Sequence, residues 1–211
     1  MTNISMPARR GFCLVLAAPS GAGKSSLARA MLQNDPRLTL SMSATTRAPR
    51  EGEVDGVDYG FCRPEDFAQR VERGEMLEHA TVFGRSYGTP RAPVVAALER
   101  GEDVVFDVDW QGHRQLHAAI PDDVVGVFIL PPSLEALRAR LDGRGDSPEA
   151  IAGRMAKARD EISHWAEFDY LVVNDDFEAA LAELRAIVTA QRCLRARRPD
   201  RAELAQRLAN G

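Results

Sequence analysis

The sequence predicts a doubly wound α/β fold in which helices cover both faces of a parallel sheet. Three observations carry that prediction. The apolar runs "FCLVLAA", "DVVFDVD", "VVGVFIL" and "YLVVN" read as buried strands. Helical patterns lie between or after these runs, and such alternation builds parallel sheets by right-handed crossovers. The first run also empties directly into "PSGAGKSS", a glycine-rich loop that opens the helical pattern "LARAMLQN". At 211 residues the chain fits one domain with insertions better than two independent ones.

In chain order, the first strand is expected over residues 12 to 18, followed by the loop and its helix. The stretch from about 39 to 90 then breaks the alternation. There "LTLSMSATT", "VDYGFC" and "EMLEHATVF" read as short strands around one small helix, "PEDFAQRVERG", which makes this stretch an α+β insertion. Further strands at 103 to 109, 124 to 130 and 170 to 174 alternate with helical patterns at 91–100, 112–119, 133–141, 149–164 and 177–195. The polar break "LDGRGDSP" (141 to 148) carries arginines, and the tail "RARRPDRAELAQRLANG" reads as a solvated helix with a frayed end.

Composition narrows the function classes. Nearly half the residues are hydrophobic and the formal net charge is -4, which gives the chain as a whole no electrostatic reason to bind nucleic acid or an acidic membrane. An anion site therefore has to be local. No apolar run reaches the roughly 20 residues that span a bilayer, and "MTNISMPARRGF" lacks the apolar region of a signal peptide. A cytoplasmic protein is expected. Cys13, Cys62 and Cys193 are far apart and show no C-x-x-C spacing, so zinc or redox work is not indicated.

The local anion site is "APSGAGKS", residues 18 to 25, which fits the phosphate-loop pattern with Ala18 in its first position. Gly21 and Gly23 let backbone N–H groups converge on phosphate oxygens, and the helix that follows adds the positive end of its dipole. Lys24 supplies a point charge, and Ser25 offers a hydroxyl to a Mg²⁺ that bridges two phosphates. The run Ala18, Pro19, Ser20, Gly21, Ala22, Gly23, Lys24, Ser25 and Ser26 is the candidate ATP site. Asp107 and Asp109 end a strand, lie two apart and face the carboxyl edge where ligands of open α/β sheets bind. Either one fits magnesium orientation through water; with Ser25, Asp107 is the candidate metal residue.

A phosphate loop alone fits kinases, switches and motors alike, so a second anion site must discriminate. "TTRAPREG" (45 to 52) sets Arg47 and Arg50 three apart with Pro49 between them, a stiff pair of planar forks suited to bidentate phosphate recognition. Tyr59 and Tyr87 add hydroxyl donors. Two phosphate sites facing each other are what transfer between nucleotides requires. The acceptor atom would be a phosphate oxygen, already ionised, so no general base is needed.

These motifs resemble the guanylate kinase family. The resemblance rests on "APSGAGKSS", "SATTRAPREGEVDGVDY", "LEHATVFGRSYGT", "DVDWQG", "PPSLEALRARLDGRG" and "VVNDD", in order over residues 12 to about 192. It implies a P-loop core at 12–40, 91–142 and 159–198, a GMP-binding insertion at about 41–90 and a mobile lid at about 143–158, with flexible ends at 1–11 and 199–211. It further implies that Arg47, Arg50, Tyr59 and Tyr87 hold the GMP phosphate while Ser43, Glu78, Thr89 and Asp109 surround guanine. Arg140, Arg144 and Arg154 would reach the triphosphate or stack on adenine, and join Lys24 and Arg47 as the catalytic set. Chemistry agrees for Glu78, since guanine offers one carboxylate two adjacent donors, N1–H and the 2-amino group, where adenine offers a lone pair.

The implied reaction is phosphoryl transfer from MgATP to GMP or dGMP, with no nucleic-acid or membrane partner and an oligomeric state that the sequence leaves open. Two departures from the family pattern stand out. Ala17 and Ala18 replace the usual serine and glycine, and Ser86 precedes Tyr87 where a tyrosine is common. The other readings are an inactive guanylate-kinase-like binding module, against which Lys24, Ser25 and the lid arginines argue, and a related kinase with another acceptor.

Overall fold

The fold is a computed structural model that describes residues 9–143 and 147–211. The first half of the chain runs β1 (Cys13–Ala17), α1 (Lys24–Asn34), β2 (Leu38–Leu40), β3 (Ala44–Thr45), β4 (Gly60–Phe61), α2 (Pro64–Glu72), β5 (Met76–Val82) and β6 (Arg85–Pro90). The second half continues α3 (Arg91–Glu99), β7 (Asp103–Asp107), α4 (Trp110–Ala119), β8 (Val124–Leu130), α5 (Leu134–Asp142), α6 (Pro148–Ser163), β9 (Tyr170–Val173), α7 (Phe177–Cys193) and α8 (Pro199–Ala209).

A five-stranded sheet in the order β2-β7-β1-β8-β9 forms the core, and every pairing in it is parallel. β1 is buried throughout and feeds both faces, as a central strand with period-two side chains must. Leu14 and Leu16, with the preceding Phe12, pack with Leu27 and Met31 of α1 and with Leu181, Leu184 and Val188 of α7. Cys13 and Val15 face the other way, towards Val94 and Leu98 of α3 and Leu116 of α4. Register places Leu16 beside Asp107, so the loop that leaves β1 and the acid that ends β7 emerge at the same sheet edge.

The insertion builds its own four-stranded sheet, β4-β3-β6-β5, over a small core of Ala44, Phe67 and Met76. The side chain of Gln115 on α4 ties it to the main body. Its Oε1 accepts from the His79 amide at 2.9 Å, and its Nε2 donates to the His79 carbonyl at 3.0 Å. Gly88 is needed here because a Cβ at that position would lie 2.7 Å from the Glu78 carbonyl oxygen.

Three features differ from the sequence reading. "LTL" of "LTLSMSATT", grouped with the insertion by its pattern though inside the 12–40 core that the resemblance implies, pairs in parallel with β7 as Leu38–Leu40 and is the edge of the core sheet. β6 was not anticipated, since "RSYGTP" is polar and holds Gly and Pro; it is a strand because β5 and β3 pair with its two edges. Residues 9–11, expected within a flexible arm, are anchored. Asp103 is fully buried, and Arg9 pairs with it through two bonds of 2.6 and 2.8 Å while Arg192 Nε adds a third at 2.7 Å. A buried carboxylate without such partners would carry a desolvation cost of several kcal/mol. At the other end α8 buries none of its residues, in keeping with a solvated helix.

Candidate active site

The loop between β1 and α1 turns through two left-handed glycines, Gly21 and Gly23, each with φ of 97°. Gly23 is the residue before α1, so its conformation delivers Lys24 as the first residue of the helix, with the free N–H groups and dipole of that helix end facing the loop. Lys24 forms an ion pair with Asp107 and donates from Nζ to the Val108 carbonyl at 3.2 Å. Ser25 Oγ donates to Asp107 Oδ2 at 3.2 Å.

These residues line a cavity of about 390 Å³ together with Ala18, Pro19, Ser20, Ser26 and Asp109. Ser25 and Asp107 give it two hard oxygen donors side by side, which fits Mg²⁺ when phosphates and water complete the shell. Among the described residues no group of three or more His, Cys, Asp or Glu forms an all-protein metal cage. Asp109 also caps α4, with Oδ1 accepting from the Gln111 and Gly112 amides at 3.0 Å each.

Two of the predicted guanine residues, Glu78 and Thr89, meet in the insertion, while Asp109 lies outside it at the start of α4. Glu78 and Thr89 are register partners on β5 and β6, 7% and 1% exposed, and Thr89 Oγ1 donates to Glu78 Oε1 at 2.7 Å. Burial pushes the Glu78 carboxyl above the usual glutamate range, opposed by the Thr89 bond, and the nearby negative charge of Asp109 adds to the rise. Asp109 also lines the phosphate-loop cavity. Ser43 lies immediately before β3, half-buried, and its carbonyl accepts from the Gly60 amide at 3.0 Å.

The predicted phosphate fork is partly assembled. The Arg47 guanidinium lies over the Tyr59 ring at 5.4 Å, and the Tyr59 and Tyr87 rings meet edge to face at 6.3 Å. Glu53 holds the segment in shape: it accepts from Arg47 Nη2 at 2.8 Å and from the Arg50 amide at 2.7 Å. Those bonds keep the Glu53 carboxyl below its ordinary range. Arg50 itself is exposed.

Of the predicted lid arginines, Arg140 donates from Nη2 to the Asn174 carbonyl at 2.8 Å. Arg154 is half-buried on α6, and Arg144 lies outside the described residues. Three supporting residues were missed by sequence reasoning. Asn174 donates to the Ala22 carbonyl at 2.7 Å and packs so closely on Gly23 that a Cβ there would lie 2.3 Å from its Nδ2. Glu53 and Gln115 are the others. Only the polar run "VVNDD" at a strand end gave any signal for Asn174.

A phosphate loop at the carboxyl edge of a parallel sheet, with a second cluster of Arg, Tyr and a buried carboxylate in the insertion, fits a P-loop phosphotransferase. Comparison with known proteins narrows the class. The guanylate kinase family profile matches residues 10–191. The chain is 60% identical to the guanylate kinase of Granulibacter bethesdensis over 184 residues, covering 87% of this chain and 86% of that protein. It is 57% identical to that of Gluconobacter oxydans, covering 87% and 89%. The crystal structure of guanylate kinase from Anaplasma phagocytophilum superposes with a TM-score of 0.72 at 34% identity, covering 94% of this chain and 95% of that one. The chain belongs to the guanylate kinase family, and it is an enzyme of that family.

Proposed function

We propose that the chain transfers the γ-phosphoryl group of ATP to GMP and dGMP, forming ADP and the corresponding diphosphate. The observation that carries this reading is the pairing of a phosphate-loop cavity with a buried carboxylate, Glu78, whose register partner Thr89 fixes one of its oxygens. Guanine presents the two adjacent donors that such a carboxylate selects.

Each residue has an assigned role. Backbone amides of the run from Ala18 to Ser26 cradle the donor phosphates, and Lys24 leaves or shares its pair with Asp107 to neutralise charge on them. Mg²⁺, bound with ATP beside Ser25 and Asp107, would supply charge neutralisation across the phosphates. Arg47, Arg50, Tyr59 and Tyr87 hold the acceptor phosphate, and Ser43, Glu78, Thr89 and Asp109 enclose the base. Arg140, Arg144 and Arg154 stabilise charge on the transferring group. The attacking oxygen belongs to an already ionised phosphate, so none of these residues has to take a proton and the chemistry reduces to positioning and electrostatics. The reaction belongs to guanine nucleotide supply, and the cytoplasm, where both substrates are made, is its natural setting.

The test is ADP formation by the purified protein with ATP and Mg²⁺, offering GMP, dGMP, AMP, CMP, UMP and dTMP separately. Activity confined to GMP and dGMP is expected. Turnover with none of them by folded protein would overturn the reading, and preference for another monophosphate would discard the role of Glu78.

A further inference from the structure

We propose that Lys157 is a second lysine of the donor site, contacting the phosphates of bound ATP, and that Glu161 is the residue that positions it. The proposal rests on the phosphate-loop cavity being the ATP site. Two residues of that cavity come from α6 rather than from the loop or β7, and they are Lys157 and Glu161. Arg154, Lys157 and Glu161 follow one another at spacings of three and four, which sets them along one face of the helix.

The charge balance of the cavity argues for a role. Its lining holds two lysines, Lys24 and Lys157, against three carboxylates, Asp107, Asp109 and Glu161. Asp107 is paired with Lys24 and accepts from Ser25, and Asp109 is bound to the amides of α4. Glu161 differs: it is 8% exposed, its Oε2 has no hydrogen-bond partner, and the charged group paired with it is Lys157, at 3.4 Å. Without Lys157 a bare carboxylate would face an incoming triphosphate.

The pair is also built to give way. The Lys157 side chain is 70% exposed, and a lysine four residues before its glutamate is the weaker of the two helical orders. Lys157 can therefore turn from Glu161 to a phosphate oxygen at little cost, trading a loose ion pair for a charge-assisted bond in a site crowded with negative charge. Glu161, held in the helix and buried, draws the exposed ammonium towards the cavity wall that both residues line.

The test uses Lys157→Met, and Lys157→Met combined with Glu161→Gln, which restores the wild-type charge balance of the cavity. Steady-state kinetics are run with each substrate varied in turn, beside titration of a non-hydrolysable ATP analogue with Mg²⁺. Lys157→Met is expected to lower kcat/KM for ATP and analogue affinity by about tenfold, the low end for a lost charge-assisted bond. The KM for GMP should stay within about twofold, since the acceptor site is untouched. The double variant should recover part of the loss. ATP parameters and analogue affinity within about twofold of wild type in Lys157→Met would overturn the proposal. A double variant worse than the single would overturn the positioning role and give Glu161 a function of its own. Wild-type protein that bound the analogue but turned over no GMP would count against the proposed reaction alone, because analogue affinity still tests Lys157.

Discussion

Replacing Glu78 with Gln changes one atom of a side chain that is nearly closed to solvent, and the structure fixes the partner of its other oxygen. Oε1 is held by the Thr89 hydroxyl at 2.7 Å, and the residue is 7% exposed. In Glu78→Gln the amide oxygen keeps one acceptor, while the new NH₂ group faces a guanine donor. One charge-assisted hydrogen bond is lost and a donor is set against a donor, a penalty of about 1.5–3 kcal/mol. That is roughly a 10- to 150-fold fall in kcat/KM for GMP. The assay follows ADP formation with GMP varied at saturating ATP, then the reverse.

ATP parameters should stay within about twofold, because the sites have no direct bond in common. A proportional loss for both substrates would refute the reasoning. The pH dependence gives an internal control. Burial raises the Glu78 pKa and guanine needs the ionised form, so KM for GMP should climb as pH falls through a value above the usual glutamate range. Glu78→Gln should lack that climb.

Other perturbations separate the parts of the machine. Lys24→Ala should lower kcat by about 100-fold or more yet leave GMP affinity unchanged by calorimetry; weakened GMP binding would argue against separate donor and acceptor sites. Gln115→Leu removes both bonds to His79 and should reduce kcat at least fivefold, about 1 kcal/mol of lost positioning, with a native-like circular dichroism spectrum; unaltered kcat would show that the tether does not position Glu78. Gly23→Ala combines a left-handed φ of 97° with a Cβ 2.3 Å from Asn174 Nδ2, so a loss of about 2 kcal/mol or more in urea unfolding is expected; an unchanged midpoint would contradict the packing described. His113 is buried against Phe168 with neither ring nitrogen bonded, and burial lowers its pKa. The unfolded chain then binds the extra proton first, so stability should fall as pH drops below about 6.5 towards the lowered folded value. His113→Leu should flatten that part of the stability–pH curve, and an unchanged slope would assign it to other groups.

The donor site was legible in the sequence because it is local. Its loop is a contiguous run between a strand and a helix, and the spacing of glycines, lysine and serine is itself the geometry. The acceptor site was legible only in its phosphate fork, Arg47 and Arg50 with Tyr59 and Tyr87; the part proposed to face guanine was not. Glu78 sits in "EMLEHATVF", where nothing distinguishes it from an ordinary strand carboxylate, and its partner Thr89 lies on a strand whose composition gave no signal. Only the resemblance to a family promoted either residue. Gln115 carried no signal, and Asn174 only its place in "VVNDD", for a related reason: they bond residues 36 and 152 positions away, and a polar side chain carries no mark of a distant partner. Arg9 read as part of a flexible end because the buried carboxylate that fixes it, Asp103, is 94 residues on.

The segment from Asp107 to Gln115 explains how a reaction without proton transfer can still be catalysed by a fold in two parts. Its first residue pairs with Lys24, the Val108 carbonyl accepts from the same lysine, and Asp109 locks the start of α4. Six residues later, Gln115 grips the backbone of His79, the neighbour of Glu78. Lys24 and Glu78, the proposed donor-site lysine and guanine-reading carboxylate, are thus referenced to one strand end and one capped helix rather than to each other across solvent. Misplacement by 1 Å can cost two orders of magnitude when positioning is the main source of rate. A turn with its cap satisfied holds both parts in one frame, since Asp109 caps the helix whose Gln115 binds the insertion at His79.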